Sequence, residues 1–127
     1  MMRTGTLPKQ GEIVLIPVPF TNLSSEKRKR RPVIIISNDE YNQMAADMVV
    51  VAMTSTPSVS PYNFVVTSAD LTHGKLNRPG TVRVDKIYTL DQSLIVRTFG
   101  QVNSQVLTRI QTTLRRLIAR KQQSNGR

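Results

Sequence analysis

The chain contains no cysteine, no tryptophan and a single histidine, His73. Without cysteine there is no disulfide framework and no thiolate metal site, which fits a cytoplasmic protein. One histidine excludes a two-histidine acid–base nuclease. Acidic residues are also few: eight scattered Asp and Glu give neither a clustered ligand set nor a two-metal centre. There is no glycine-rich phosphate loop and no Ser-centred nucleophile elbow. No apolar run approaches the roughly 20 residues needed to span a bilayer. The opening "MMRTGTLPKQGE" has no apolar segment suited to a signal peptide. Three Phe and three Tyr leave an interior that must be mainly aliphatic. The residues therefore predict no metal, no cofactor and no membrane partner.

What is plentiful is positive charge. Eighteen Lys and Arg against eight acids give a formal net charge of +10 over 127 residues. The length fits one domain, and the charge points to a polyanionic partner, with nucleic acid as the default.

"EIVLIPVPF" (12–20) has the composition of a first strand, with Pro17 and Pro19 forcing its second half to an edge or out of the sheet. "PVIIIS" (32–37) is continuously apolar and reads as a strand covered on both faces. "NDEYNQMAAD" reads as a short helical turn capped by Asn38 or Asp39. Further strands are expected at 48–54, 62–68, 81–90 and 94–102, with "ADLTHGKLNRPG" as a long loop. Val106, Leu107, Ile110, Leu114, Leu117 and Ile118 recur at helical spacing, so a final amphipathic helix follows a cap at Asn103 or Ser104. Several short strands closed by one helix predict a mainly β, barrel-like domain over 11–121. Residues 1–10 read as a flexible lead and 122–127 as a frayed tail.

Three features carry chemistry. Lys27, Arg28, Lys29, Arg30 and Arg31 form an unbroken cationic run directly before Pro32. Such a run is commonly a solvated loop. Pro32, however, holds Arg31 extended against rigid sheet, where a guanidinium can make bidentate phosphate contacts. "AMTSTP" (52–57) ends a strand in hydroxyls; these usually bond local backbone, and gain interest only if that strand end lies beside Arg31. His73, before a glycine in a polar loop, reads as a surface residue.

One phosphodiester chemistry needs neither metal nor histidine. RNA supplies its own nucleophile, the 2′-hydroxyl, and an enzyme need only align it and stabilise the charge of a five-coordinate transition state. A fixed Arg, a hydroxyl and one carboxylate suffice for that. Base selection would fall to loops such as "STPSVSPYN" and "LTHGKLNRPG".

"GEIVLIPVPFT", "RPVIIIS", "VVVAMTS", "VRVDKIYTLD" and the final helix, in that order over about residues 11–120, resemble the MazF/PemK family of toxin–antitoxin ribonucleases. The resemblance implies a small SH3-like barrel with a C-terminal α-helix, paired as a homodimer. It implies metal-independent cleavage of single-stranded mRNA, often at a short sequence, leaving a 2′,3′-cyclic phosphate and a 5′-hydroxyl. It also implies a cognate antitoxin whose tail blocks the RNA groove. Arg31 matches the family's catalytic arginine before proline, Thr54 the threonine that works with it, and Glu26 the glutamate of the preceding loop. Ser55, Arg83 and Asp85 match further positions and join Lys27 to Arg30 as RNA-binding candidates. In one stretch the loop departs from those relatives: "KRKR" stands where they carry Gln, Gly and small residues.

Two alternatives compete. Gyrase-poisoning toxins share this fold and act by binding a protein, but have no need for Arg31 and Thr54 beside a basic loop. A basic RNA- or ribosome-binding module without turnover is the other.

Overall fold

A computed structural model describes residues 7–17 and 29–121. The sequence candidates Glu26, Lys27 and Arg28, together with Pro19, residues 1–6 and the tail from 122, lie outside the described residues. Among the described residues there are seven strands: β1 (Glu12–Pro17), β2 (Arg30–Ile35), β3 (Asp47–Thr54), β4 (Asn63–Val66), β5 (Leu71–Gly74), β6 (Gly80–Asp91) and β7 (Arg97–Val102). The same described residues form two α-helices, α1 (Asp39–Met44) and α2 (Ser104–Ile118). The strands form one antiparallel sheet in the order β4-β6-β3-β2-β1-β7-β5, curled towards a barrel.

The unbroken apolar run of β2 is explained by its central place. Ile34 joins a core with Ile13, Val51, Phe64, Val82, Val84 and the α2 residues Val106 and Ile110. Val33 and Ile35 turn to a second cluster with Val14, Ile16, Met48 and Val50, closed by Tyr88, Leu90, Leu94 and Ile95. Burying each such aliphatic side chain stabilises by roughly 1.5–3 kcal/mol. The 12-residue β6 follows β3 along its whole length. A register shift between Val51 and Ala52 adds the local bend that lets the pair curl.

The caps fall on the expected residues. The Asn38 side chain accepts the Tyr41 N–H at 2.8 Å, and that of Asn103 accepts the Val106 N–H at 2.9 Å. The Gln92 side chain donates to the carbonyls of Asn42, Ala45 and Asp47, tying the end of α1 to the sheet. Ahead of β1, the Pro8 carbonyl accepts from Asn42, and the Gln10 side chain donates to the Ile36 carbonyl.

Two expectations need correction. Strand β2 begins at Arg30 rather than Pro32, so Arg31 is itself a strand residue, paired with Ile16. The "ADLTHGKLNRPG" stretch is not all loop: β5 lies inside it, paired with β7 at the sheet edge. That pairing is close. Gly74 has φ +95°, and a Cβ there would run into the Phe99 carbonyl, so only glycine fits. Among the described residues no helix is long and apolar enough to cross a membrane.

Candidate functional site

Arg31 is exposed near the start of β2 and Thr54 ends β3. These strands are neighbours, with Val33 opposite Ala52. Carried two residues further, that antiparallel register sets Arg31 across from Thr54. Both line one cleft of about 530 Å³ at the end of the sheet where β2, β6 and β7 begin and β3 and β5 stop.

The lining of this cleft is polarised. Among the described residues five cations border it, Arg30, Arg31, Lys75, Arg78 and Arg97, and no carboxylate does. None of the five is joined to an acid among the described residues, where the one ion pair is Arg83–Asp85. Met53, Leu76 and Phe99 supply an apolar floor that belongs to the main core. An apolar floor keeps neighbouring dielectric low, so the charges above it act strongly on an anion entering the cleft.

Thr54 is oriented by its own turn. Its hydroxyl oxygen accepts the Thr56 N–H at 3.2 Å, the local bonding expected at a strand end. That bond uses a lone pair, so the hydroxyl proton is left to be donated into the cleft. Here the local turn bond and a role in the cleft are compatible. Ser55, beside it, also borders the cleft.

The remaining candidates lie elsewhere. Lys29 is exposed and is not part of the cleft lining. Arg83 and Asp85 project from β6 and grip each other, with Nε to Oδ1 and Nη2 to Oδ2 both at 3.2 Å. The hydrogen bond from Arg83 holds the Asp85 carboxyl below its ordinary pKa, against the opposing effect of burial. Neither residue borders the cleft. His73 sits on β5, exposed and outside the lining.

Sequence reasoning missed Lys75, Arg78, Arg97 and Phe99 as members of the site. The first two lie in the segment singled out for base selection, so part of the signal was visible. Arg97 and Phe99 carried none, because only the pairing of β7 with β1 and β5 brings them to this end of the sheet.

The family model for the PemK-like, MazF-like toxin of type II toxin-antitoxin systems matches residues 9–118. Among solved structures, the chain is similar to an endoribonuclease in complex with its cognate antitoxin from a mycobacterial species. The two are 22% identical, with 91% of this chain and 99% of that chain covered and a TM-score of 0.72. It is similar to the MazF of Deinococcus radiodurans, at 21% identity, 91% and 100% coverage and a TM-score of 0.69. It is also similar to the Mycobacterium tuberculosis toxin MazF-mt6, at 18% identity, 87% and 99% coverage and a TM-score of 0.68. At these identities the structures speak for the fold alone. The search of curated proteins finds no match. With the family model covering nearly all of a chain folded in this way, the protein belongs to the PemK-like, MazF-like toxins of type II toxin-antitoxin systems.

Proposed function

We propose that this chain is an endoribonuclease toxin that cleaves single-stranded mRNA by transesterification and is held in check by a cognate antitoxin. The observation that carries the reading is the shared cleft of Arg31 and Thr54, bordered among the described residues by five cations and no acid. In this reading the 2′-oxygen attacks the adjacent phosphorus, the bond to O5′ breaks, and the products are a 2′,3′-cyclic phosphate and a 5′-hydroxyl. The 2′-hydroxyl loses its proton to a base and the leaving O5′ gains one. A guanidinium does not give up its proton in a protein, so Arg31 is unsuited to move protons and instead stabilises the phosphorane oxygens. Thr54 donates its hydroxyl proton to a phosphate oxygen and fixes its position. Glu26 supplies the carboxylate of the catalytic set, and Glu26→Gln tests it as the base.

RNA is held along the backbone by Lys27, Arg28, Lys29, Arg30 and Ser55, with Arg83 and Asp85 on the flank. Catalysis of this kind requires no metal, and DNA, lacking the nucleophile, is spared. The active species is a cytoplasmic homodimer, and an acidic segment of the antitoxin complements the cationic cleft.

The test is incubation of purified protein with long single-stranded RNA in EDTA, followed by analysis of the new ends. Cleavage with cyclic-phosphate ends, and intact DNA of the same sequence, are expected. Salt-sensitive RNA binding with no cleavage would replace the enzyme with a binding module. Neither binding nor cleavage, with capture of a gyrase subunit, would replace it with a gyrase poison.

A further inference from the structure

Arg97 and Phe99 are two residues apart on β7, where the register against β1 shifts between Thr98 and Gly100 and leaves Phe99 out of the pairing. The Arg97 guanidinium lies over the Phe99 ring, 4.7 Å from its centroid. Phe99 is half-buried and packs on the main core, whereas Arg97 is exposed, and both border the cleft. Among the described residues two other guanidiniums lie over rings, Arg109 over Phe64 and Arg116 over Tyr62, but neither pair borders the cleft.

A guanidinium is planar, with two faces. Here one face is set against a ring that the core itself immobilises, and cation–π attraction holds it there. Among the described residues no carboxylate engages its edges. The second face is left for a ligand, and a flat ligand suits it, since nucleobases stack on guanidinium planes as they do on aromatic rings. Pre-setting the plane lowers the ordering cost that a free Arg side chain would bear on binding. A bare phosphate needs charge at this position but not a fixed plane.

From this we infer that Arg97, backed by Phe99, is a nucleobase-stacking platform that positions one base of the RNA strand in the cleft. The inference rests on the reading of the cleft as an RNA site. The platform touches a base and not the reacting phosphate, so it governs affinity and the placing of the cut, while Arg31 and Thr54 act on the linkage itself.

The experiment is an abasic scan. A short single-stranded RNA is made uncleavable by one 2′-deoxy nucleotide at its mapped cut site, or left unmodified if the protein does not cut it. Each base is then removed in turn and binding is measured by fluorescence anisotropy. Wild-type protein is expected to lose about 5- to 100-fold in affinity at one position. Arg97→Lys, which keeps the charge and loses the plane, is expected to bind intact RNA more weakly by a similar factor. It should be indifferent to base removal at that same position, with its salt dependence unchanged. Phe99→Leu, which keeps an apolar side chain on the core, should behave alike; if it fails to fold, the exposed Arg97→Lys decides alone. An Arg97→Lys variant that binds as wild type, or that loses as much as wild type at every abasic position, overturns the platform. Failure of the ribonuclease reading looks different: the wild type binds RNA without cutting it, and the scan still decides the stacking. Wild-type protein that binds no RNA overturns both.

Discussion

Arg31, near the start of β2, and Thr54, at the end of the neighbouring β3, border the same cleft, which five cations and no acid line among the described residues. A rigid sheet thus holds a guanidinium and a hydroxyl donor at one site. Such fixed donors stabilise developing charge without reorganising, which is why removing one from an enzyme commonly costs two to three orders of magnitude in rate.

The Thr54 hydroxyl should matter as a donor and not as volume. Thr54→Ser keeps the oxygen that accepts the Thr56 N–H and should retain most of the cleavage rate. Thr54→Val keeps the shape and should lower the single-turnover rate by about 100-fold. Equal rates for the two variants would show that the hydroxyl does no chemistry.

Five cations around one cleft make RNA affinity depend steeply on salt. If Arg30, Arg31, Lys75 and Arg78 each neutralise one phosphate of a single strand, the cleft alone should contribute about −2.8 to the slope of log K against log salt. Replacing Lys75 or Arg78 by Ala should reduce the slope by about 0.7 each. Titration of an uncleavable RNA between low and moderate salt measures this, and a flat response would remove the phosphate contacts from the account.

The β5–β7 edge forms one wall of the site, and it depends on two glycines meeting. A Cβ on Gly100 would collide with the His73 carbonyl across the pair. Gly100→Ala should therefore destabilise by about 1–3 kcal/mol in urea unfolding, since overpacking of this kind forces backbone shifts. Because Gly74 and Lys75 line the cleft, RNA affinity should fall as well. Unchanged stability and affinity would mean that the edge gives way freely.

The Arg83–Asp85 pair gives a small acid-side stability term. Its folded-state pKa is lowered, chiefly by the Arg83 hydrogen bond, so the stabilisation is present above the ordinary value of 3.8. It is lost as pH falls through the folded-state value. Both side chains are about one-third exposed, 30% and 35%, and solvent screening limits the pair to about 1 kcal/mol or less. Asp85→Asn should lower Tm by up to about 4 °C at neutral pH, with the gap closing as pH falls below the ordinary value of 3.8 and through the lowered folded-state value. A gap that widens on acidification would reverse the sign of the effect.

The parts of the fold that were legible in the sequence are those with local causes. The continuous run at Val33–Ile36 implied two covered faces, and two separate clusters use alternate residues of it. The helical spacing from Val106 placed α2, and Asn103 its cap. Strand β5 was illegible because "LTHG" is exposed along most of its length and ends in a glycine with positive φ, so it shows neither alternation nor β-branched enrichment. The site divides in the same way. Arg31 was visible because its cationic run and Pro32 are adjacent in the chain. Arg97 and Phe99 were not, since their value depends on pairings made across the whole sheet.

The central claim is that Arg31 and Thr54 act together on one scissile linkage, and a double-mutant cycle on single-turnover RNA cleavage in EDTA tests it most directly. Arg31→Ala and Thr54→Ala should each slow the step by about 100- to 1,000-fold, and the double variant should be little worse than the slower single one. Cleavage by Arg31→Ala at the wild-type rate, or losses that simply multiply in the double variant, would contradict it.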